Sequence, residues 1–137
     1  MFEIIQRQHA EILQLAQKIS MYDSIPKVRE NAFDISLLLG ALSGKLMMHL
    51  ASEDQFIYPC LMKKQDPKIQ ETSKRFASEM GSLAQVFGDY KNKYLVDSKI
   101  ANAPGEFLGD SGKVMETIGK RIAREEKYLY PLLDDEV

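Results

Sequence analysis

The sequence predicts an all-α fold, an antiparallel up-down-up-down four-helix bundle. Apolar residues recur at steps of three and four along four long segments. No stretch shows the two-residue alternation of a half-buried strand. The breaks between segments are short and carry Pro26, Pro67 and Pro104. At 137 residues, with 45% apolar and 28% charged side chains, the chain suits one soluble domain over 1–137 with a sizeable core.

The first helix is expected from about Phe2 to Met21, with Ile5, His9, Ile12, Leu13, Ala16 and Ile19 inward and Gln6, Arg7, Gln14, Gln17 and Lys18 outward. Tyr22 to Pro26 breaks it, and Pro26 suits the first turn of the next helix. That second helix is expected to run from Pro26 to Tyr58, with Ile35, Leu38, Leu39, Leu42, Leu46, His49, Glu53 and Phe56 inward. Pro59 then bends or ends it, having no N–H to donate four residues back. Asp66 is placed as an N-cap before Pro67. The third helix follows to about Leu95, with Ile69, Ser73, Phe76, Met80, Leu83, Phe87 and Tyr94 inward. Asp97 to Asp110 reads as a loop entering a helix between Pro104 and Ser111. The fourth helix buries Val114, Ile118, Arg121, Ile122, Glu125 and Leu129 and meets Pro131.

A formal net charge of −2 gives no electrostatic reason to expect nucleic acid or an anionic membrane as partner. The single cysteine, Cys60, cannot form an internal disulfide and fits a reducing compartment as a buried, inert thiol. The first residues have no apolar core followed by a cleavage site, and no apolar run is read as approaching a membrane span. The expectation is a soluble, cytoplasmic protein.

One stretch stands out from this background, Leu46 to Pro59. His49 and Glu53 lie one turn apart on the core-facing stripe, where polar groups need partners. A repeat locates those partners. His49-x-x-x-Glu53-Asp54-x-x-x-Tyr58-Pro59-x-Leu61 aligns with Arg121-x-x-x-Glu125-Glu126-x-x-x-Tyr130-Pro131-x-Leu133 at a constant offset of 72 residues. A weaker match at an offset of 71 sets His9 opposite Met80. A doubled helical hairpin predicts pseudo-twofold symmetry, with His49, Glu53, Arg121 and Glu125 near the middle of the bundle.

Each inward polar group has a structural and a functional reading. His9 alone is either a satisfied core histidine or a ligand. His49 and Glu53 are either a local hydrogen-bonded pair or half of a metal site. Two buried glutamates repel unless a metal, an arginine or shared protons intervene. Inward Glu and His at i, i+3 or i, i+4 are what carboxylate-bridged metal bundles use. Arg121 cannot ligate a metal, since it offers donors only. It forms an inward salt bridge with Glu125 and, by symmetry, reaches toward Glu53; otherwise its stem snorkels to solvent. Tyr58 and Tyr130 close the bottom of the core, with a redox role as the lesser reading. Met47, Met48, Met80 and Met115 fill core gaps, with Met80 as a thioether ligand the remoter alternative. Gly40 and Gly44 let two helices approach closely, or open a small channel.

On these residues the chain resembles the hemerythrin (HHE cation-binding) family over nearly its whole length. The resemblance rests on His9 in the first helix, His49-x-x-x-Glu53 in the second, and the ending Glu125-Glu-x-x-x-Tyr-Pro131 in the fourth. It implies a bundle enclosing two non-haem irons bridged by carboxylates from the second and fourth helices. It also implies dioxygen binding, oxygen or redox sensing, response to nitric oxide, or iron handling. His9, His49, Glu53 and Glu125 match the ligands of one iron. Met80 and Arg121 stand where the second iron's histidines would be, and the chain has two histidines in all. An intact di-iron centre is therefore not expected, and no complete catalytic constellation remains.

Two functions follow. In the first, His9, His49, Glu53 and Glu125 bind one iron, zinc or manganese ion in a sensing or iron-handling module, with a small diatomic ligand as a further partner. In the second, the bundle is a metal-free regulatory or protein-interaction module in which Arg121 supplies the charge a metal would give.

Overall fold

The structure is a computed structural model that describes residues 2–136. Every element among the described residues is helical. Helix α1 (Phe2–Ser20) buries Ile5, His9, Ile12, Ala16 and Ile19. Leu13, expected inward, is exposed; one step from Ile12, it lies about 100° round the helix and off the buried stripe.

The expected single run from Pro26 to Tyr58 is divided. Helix α2 (Ile25–Glu30) is capped by Ser24, whose hydroxyl accepts from the Lys27 N–H. Asn31 ends it, its side-chain amide donating to the Lys27 carbonyl. Helix α3 (Ala32–Ser52) then begins and turns Ile35, Leu39, Leu42, Leu46 and His49 inward.

Pro59 does not end this helix. A π-helical turn spans Glu53–Ile57, where the Tyr58 N–H bonds the Glu53 carbonyl five residues back, and α4 (Tyr58–Met62) carries on beyond it. The wider turn inserts one residue into the inward register. Phe56, expected inward, is therefore exposed, and Ile57 and Tyr58 are buried instead.

Asp66 caps α5 (Pro67–Tyr94) through the Lys68 N–H, as expected from Asp-Pro. The stretch expected as a loop contains a short helix, α6 (Asp97–Asn102), because Ile100 is anchored in the core. Helix α7 (Pro104–Arg124) buries the expected line of Val114, Ile118, Arg121 and Ile122. A second π-turn, Glu125–Leu129, follows and leads into a 3-10 segment, Tyr130–Glu136. The two π-turns stand 72 residues apart, at matching positions of the repeat. The duplication is therefore one of backbone geometry as well as of residue type.

Helix α1 packs along α3 and α7, while α5 packs on α7 and α3. The apolar interior falls into two clusters. The larger includes Ile12, Leu39, Leu46, Phe87, Phe107 and Ile122; the smaller holds Ile5, Ile57, Leu61, Phe76, Leu129 and Leu133. His9 lies between Ile5 and Ile12 in sequence, and His49 between Leu46 and Ile57, so the buried polar residues form a layer where the clusters meet.

The outer face of α3 corrects further expectations. Met47 and Met48 are exposed, not core fillers, because they lie opposite the Leu42, Leu46 and His49 stripe. A Cβ at Gly40 or Gly44 would meet nothing within 4 Å, so among the described residues no helix approaches there. Cys60 is half-buried, not fully enclosed. The helical run Ala32–Met62 is also long and apolar enough to cross a membrane by length and composition. The expectation that no apolar run approaches a span is thereby corrected. Its outer face contributes apolar residues in addition to those the core requires.

Candidate metal centre

Four helical segments deliver the polar layer. His9 comes from the middle of α1 and His49 from the last turn of α3, while Glu53 and Glu125 each open a π-turn. The two imidazole Nε2 atoms lie 3.2 Å apart, and each is 3.0 Å from Glu125 Oε1. Glu53 Oε1 is 3.5 Å from His49 Nε2. The Tyr130 hydroxyl stands among them, 2.9 Å from Glu125 Oε1, 3.1 Å from His9 Nε2 and 3.2 Å from Glu53 Oε2. In an α-helix residues five apart do not face each other. The π-turn at Glu125 stacks residue 130 over residue 125 and so brings this phenol into the centre.

The far side of each imidazole is also held. His9 Nδ1 lies 2.9 Å from Glu126 Oε1, and His49 Nδ1 lies 3.0 Å from Gln8 Oε1. The Gln8 amide nitrogen donates to the Ser52 hydroxyl, which keeps the amide oxygen toward His49. Both Nδ1 atoms thus face acceptors and carry the hydrogens. Both Nε2 atoms then point into the layer toward Glu125 Oε1, the arrangement by which outer partners orient metal-binding histidines.

Electrostatics expresses the same crowding. Burial, and then the Glu125 carboxylate beside it, push the Glu53 carboxyl up to about 10. Burial would also raise Glu125, but hydrogen bonds from His49 and His9 outweigh it and hold that carboxyl below the usual carboxylate range. Burial alone would lower His9; its bonds to Glu125 and Glu126 raise it above the ordinary histidine value.

His9, His49 and Glu125 offer ligand atoms all within 4.8 Å of one another, buried, so they could hold a metal ion. The family model of the hemerythrin HHE cation binding domain matches residues 1–133. The chain belongs to the hemerythrin HHE family. Comparison with curated proteins and with solved structures gave no match.

Within this hemerythrin domain the two carboxylate ends of Glu125 face different surroundings. Oε1 turns to the imidazoles, while Oε2 accepts from Arg121 Nε at 2.8 Å. The Arg121 guanidinium also donates to the Tyr58 hydroxyl at 2.8 Å and to the Phe76 carbonyl at 3.0 Å. Its ion pairs are with Glu125 and, at 3.5 Å, with Glu79; the expected reach to Glu53 is absent from its bonds. Glu53 Oε1 consequently has no hydrogen-bond partner, although it is buried. The snorkelling alternative is also excluded, since Arg121 is buried. Met80 is half-buried and packs against both apolar clusters.

The tyrosines follow the pseudo-symmetry by exchange. Tyr130 of the second half faces His49 of the first at 3.5 Å, and Tyr58 of the first half bonds Arg121 of the second. They therefore belong to the polar layer and do more than close its floor. Glu126 and Gln8 were not assigned a role from the sequence. Glu126 was visible there as the acidic neighbour of Glu125, but its aim at His9 depends on how α1 lies against the second π-turn.

Proposed function

We propose that this hemerythrin domain binds one divalent metal ion through His9, His49, Glu53 and Glu125. In this reading it acts as a sensing or iron-handling module. One observation carries the reading: buried ligand-type atoms converge on one point in the layer. Both imidazole Nε2 atoms, Glu125 Oε1 and Glu53 Oε2 gather around the Tyr130 hydroxyl, and Glu53 Oε1 has no hydrogen-bond partner. Buried acceptors in this density need a cation or extra protons. Two imidazoles and two carboxylates are an adequate donor set for iron, zinc or manganese.

The remaining residues hold the site in shape. Glu126 and Gln8 fix both imidazole tautomers, and Arg121 anchors the Oε2 side of Glu125. That side is filled by the guanidinium, Tyr58 and the Phe76 carbonyl, with no histidine to serve a second ion. We take the unit to be a single up-down-up-down bundle with one working half of a di-iron centre. A redox-active ion bound there would supply a centre that responds to oxidation state or to a small diatomic ligand. The cytoplasm suits such a role.

Arg121 also supports the second reading, a metal-free regulatory bundle, because it already neutralises Glu125. Elemental analysis of freshly purified protein separates the two. The expected result is about one metal per chain, lost in a His49→Ala variant. Absence of metal, together with an unchanged Tm on adding Fe(II) or Zn(II), would overturn the metal-binding reading in favour of the metal-free one.

A further inference from the structure

Helix α3 has a second apolar face that the fold leaves uncovered. Phe33, Leu37, Gly40, Gly44, Met47 and Ala51 are spaced by alternating steps of four and three, a heptad seam. The seam faces away from the core stripe of Ile35, Leu39, Leu42 and Leu46. Phe33 and Leu37 are each 59% exposed, Met47 61% and Met48 62%. The seam is about 27 Å long. A fully buried helix would be apolar all round; a surface helix normally carries charge on its outer face. Across Ala32–Ser52 the only formal charges are Asp34 and Lys45.

Those two charges say what covers the seam. On a helical wheel Asp34 and Lys45 lie on the same flank, where an antiparallel copy brings its own corresponding flank. Pairing α3 with a second α3 about a twofold axis near Gly40 sets Asp34 of one copy beside Lys45 of the other, twice. The same register sets Phe33 against Met47 and Leu37 against Gly44, bulky side chains against slim ones. Gly40 then meets its symmetry mate, and the open space over both glycines lets the backbones close. A parallel pair brings opposite flanks together and leaves these charges unmatched. Lys45 also pairs with Glu11 of its own chain, and Asp34 is exposed.

We propose that the outer face of α3 binds a second copy of this chain, forming an antiparallel homodimer whose helices cross at Gly40. Two such seams pressed together remove on the order of 1,000 Å2 from water, the lower end of specific interfaces. Association is therefore reversible and concentration-dependent. The inference is independent of whether a metal is bound.

Sedimentation velocity of the full chain across the micromolar range tests it. Wild-type protein is expected to move from monomer to dimer with concentration. Gly40→Glu is expected to stay monomeric with its Tm kept or raised, since the space is open and glycine is a poor helix former. Asp34→Lys and Lys45→Asp should each weaken association about tenfold, and the double variant should restore it. As a second readout, Gly40→Cys in a Cys60→Ser background should form an interchain disulfide on oxidation. Wild-type protein that remains monomeric throughout overturns the proposal. So does a Gly40→Glu dimer as tight as the wild type, or a double variant that fails to recover. Co-sedimentation of monomer with phosphatidylcholine vesicles, lost in Gly40→Glu, would also overturn it and assign the seam to lipid.

Discussion

Glu125 divides its two oxygens between opposite kinds of partner, and this division sets the chemistry of the centre. Oε1 meets His9, His49 and Tyr130, whereas Oε2 meets the permanent cation of Arg121. Arg121 in turn satisfies a carboxylate, a phenol and a main-chain carbonyl with one planar fork. Arg121→Ala removes all three at once and leaves the buried Glu125 carboxylate without its permanent cation. The expected loss is about 3–5 kcal/mol in denaturant unfolding, as when other buried pairs are broken. Arg121→Lys should recover only part, because a point charge cannot make three bonds in that geometry. An Arg121→Ala protein as stable as the wild type would show that Glu125 is held by its imidazole side alone.

At the scale of elements, the two π-turns determine which side chains reach the interior. Each places a glutamate at its first position and carries the chain past a proline that an α-helical interior tolerates poorly. The register change is testable without touching the polar layer. Ile57→Ala should cost about 2–5 kcal/mol, the range for large-to-small changes in a core. Phe56→Ala should stay within about 0.5 kcal/mol, as surface substitutions do. Urea unfolding of the pair reads the difference directly. The opposite ordering would mean that the helix runs through Pro59 without the extra residue.

For the whole molecule, the polar layer couples folding to pH. With its carboxyl pushed up to about 10, Glu53 keeps a proton in the folded chain that the unfolded chain releases near 4.5. Its stabilising contribution is full below that lower value and is lost as pH rises toward the upper one. His9 is raised from 6.5 and acts with the same sign above that point. Glu125 is lowered, so its contribution is present above 4.5 and fails only in acid. Chelator-treated protein should therefore lose Tm steadily between pH 5 and 10. Added metal should flatten that slope, because the ion takes the place of the protons. A Tm that rises across the same interval would contradict this account of the layer. Thermal scans in a buffer series with and without Zn(II) provide the comparison.

Much of this was legible in the order of residues alone. Helical periodicity marked α1, α5 and α7, Asp66-Pro67 marked a cap, and the 72-residue repeat singled out His49, Glu53, Arg121 and Glu125. These signals are local or periodic, set by which side chains recur every three or four positions, and need no knowledge of packing. The π-turns, the break at Asn31, and the exposure of Phe56, Met47 and Met48 were not legible. An added residue in one turn rotates everything after it, and α3 carries apolar residues on both faces. Tertiary structure alone decided that Tyr130 joins the two imidazoles, that Glu126 and Gln8 orient them, and that Arg121 serves Glu125 but not Glu53. Those pairings join residues as much as 121 positions apart. They depend on how helices rotate against one another, which the pattern along any single helix does not contain.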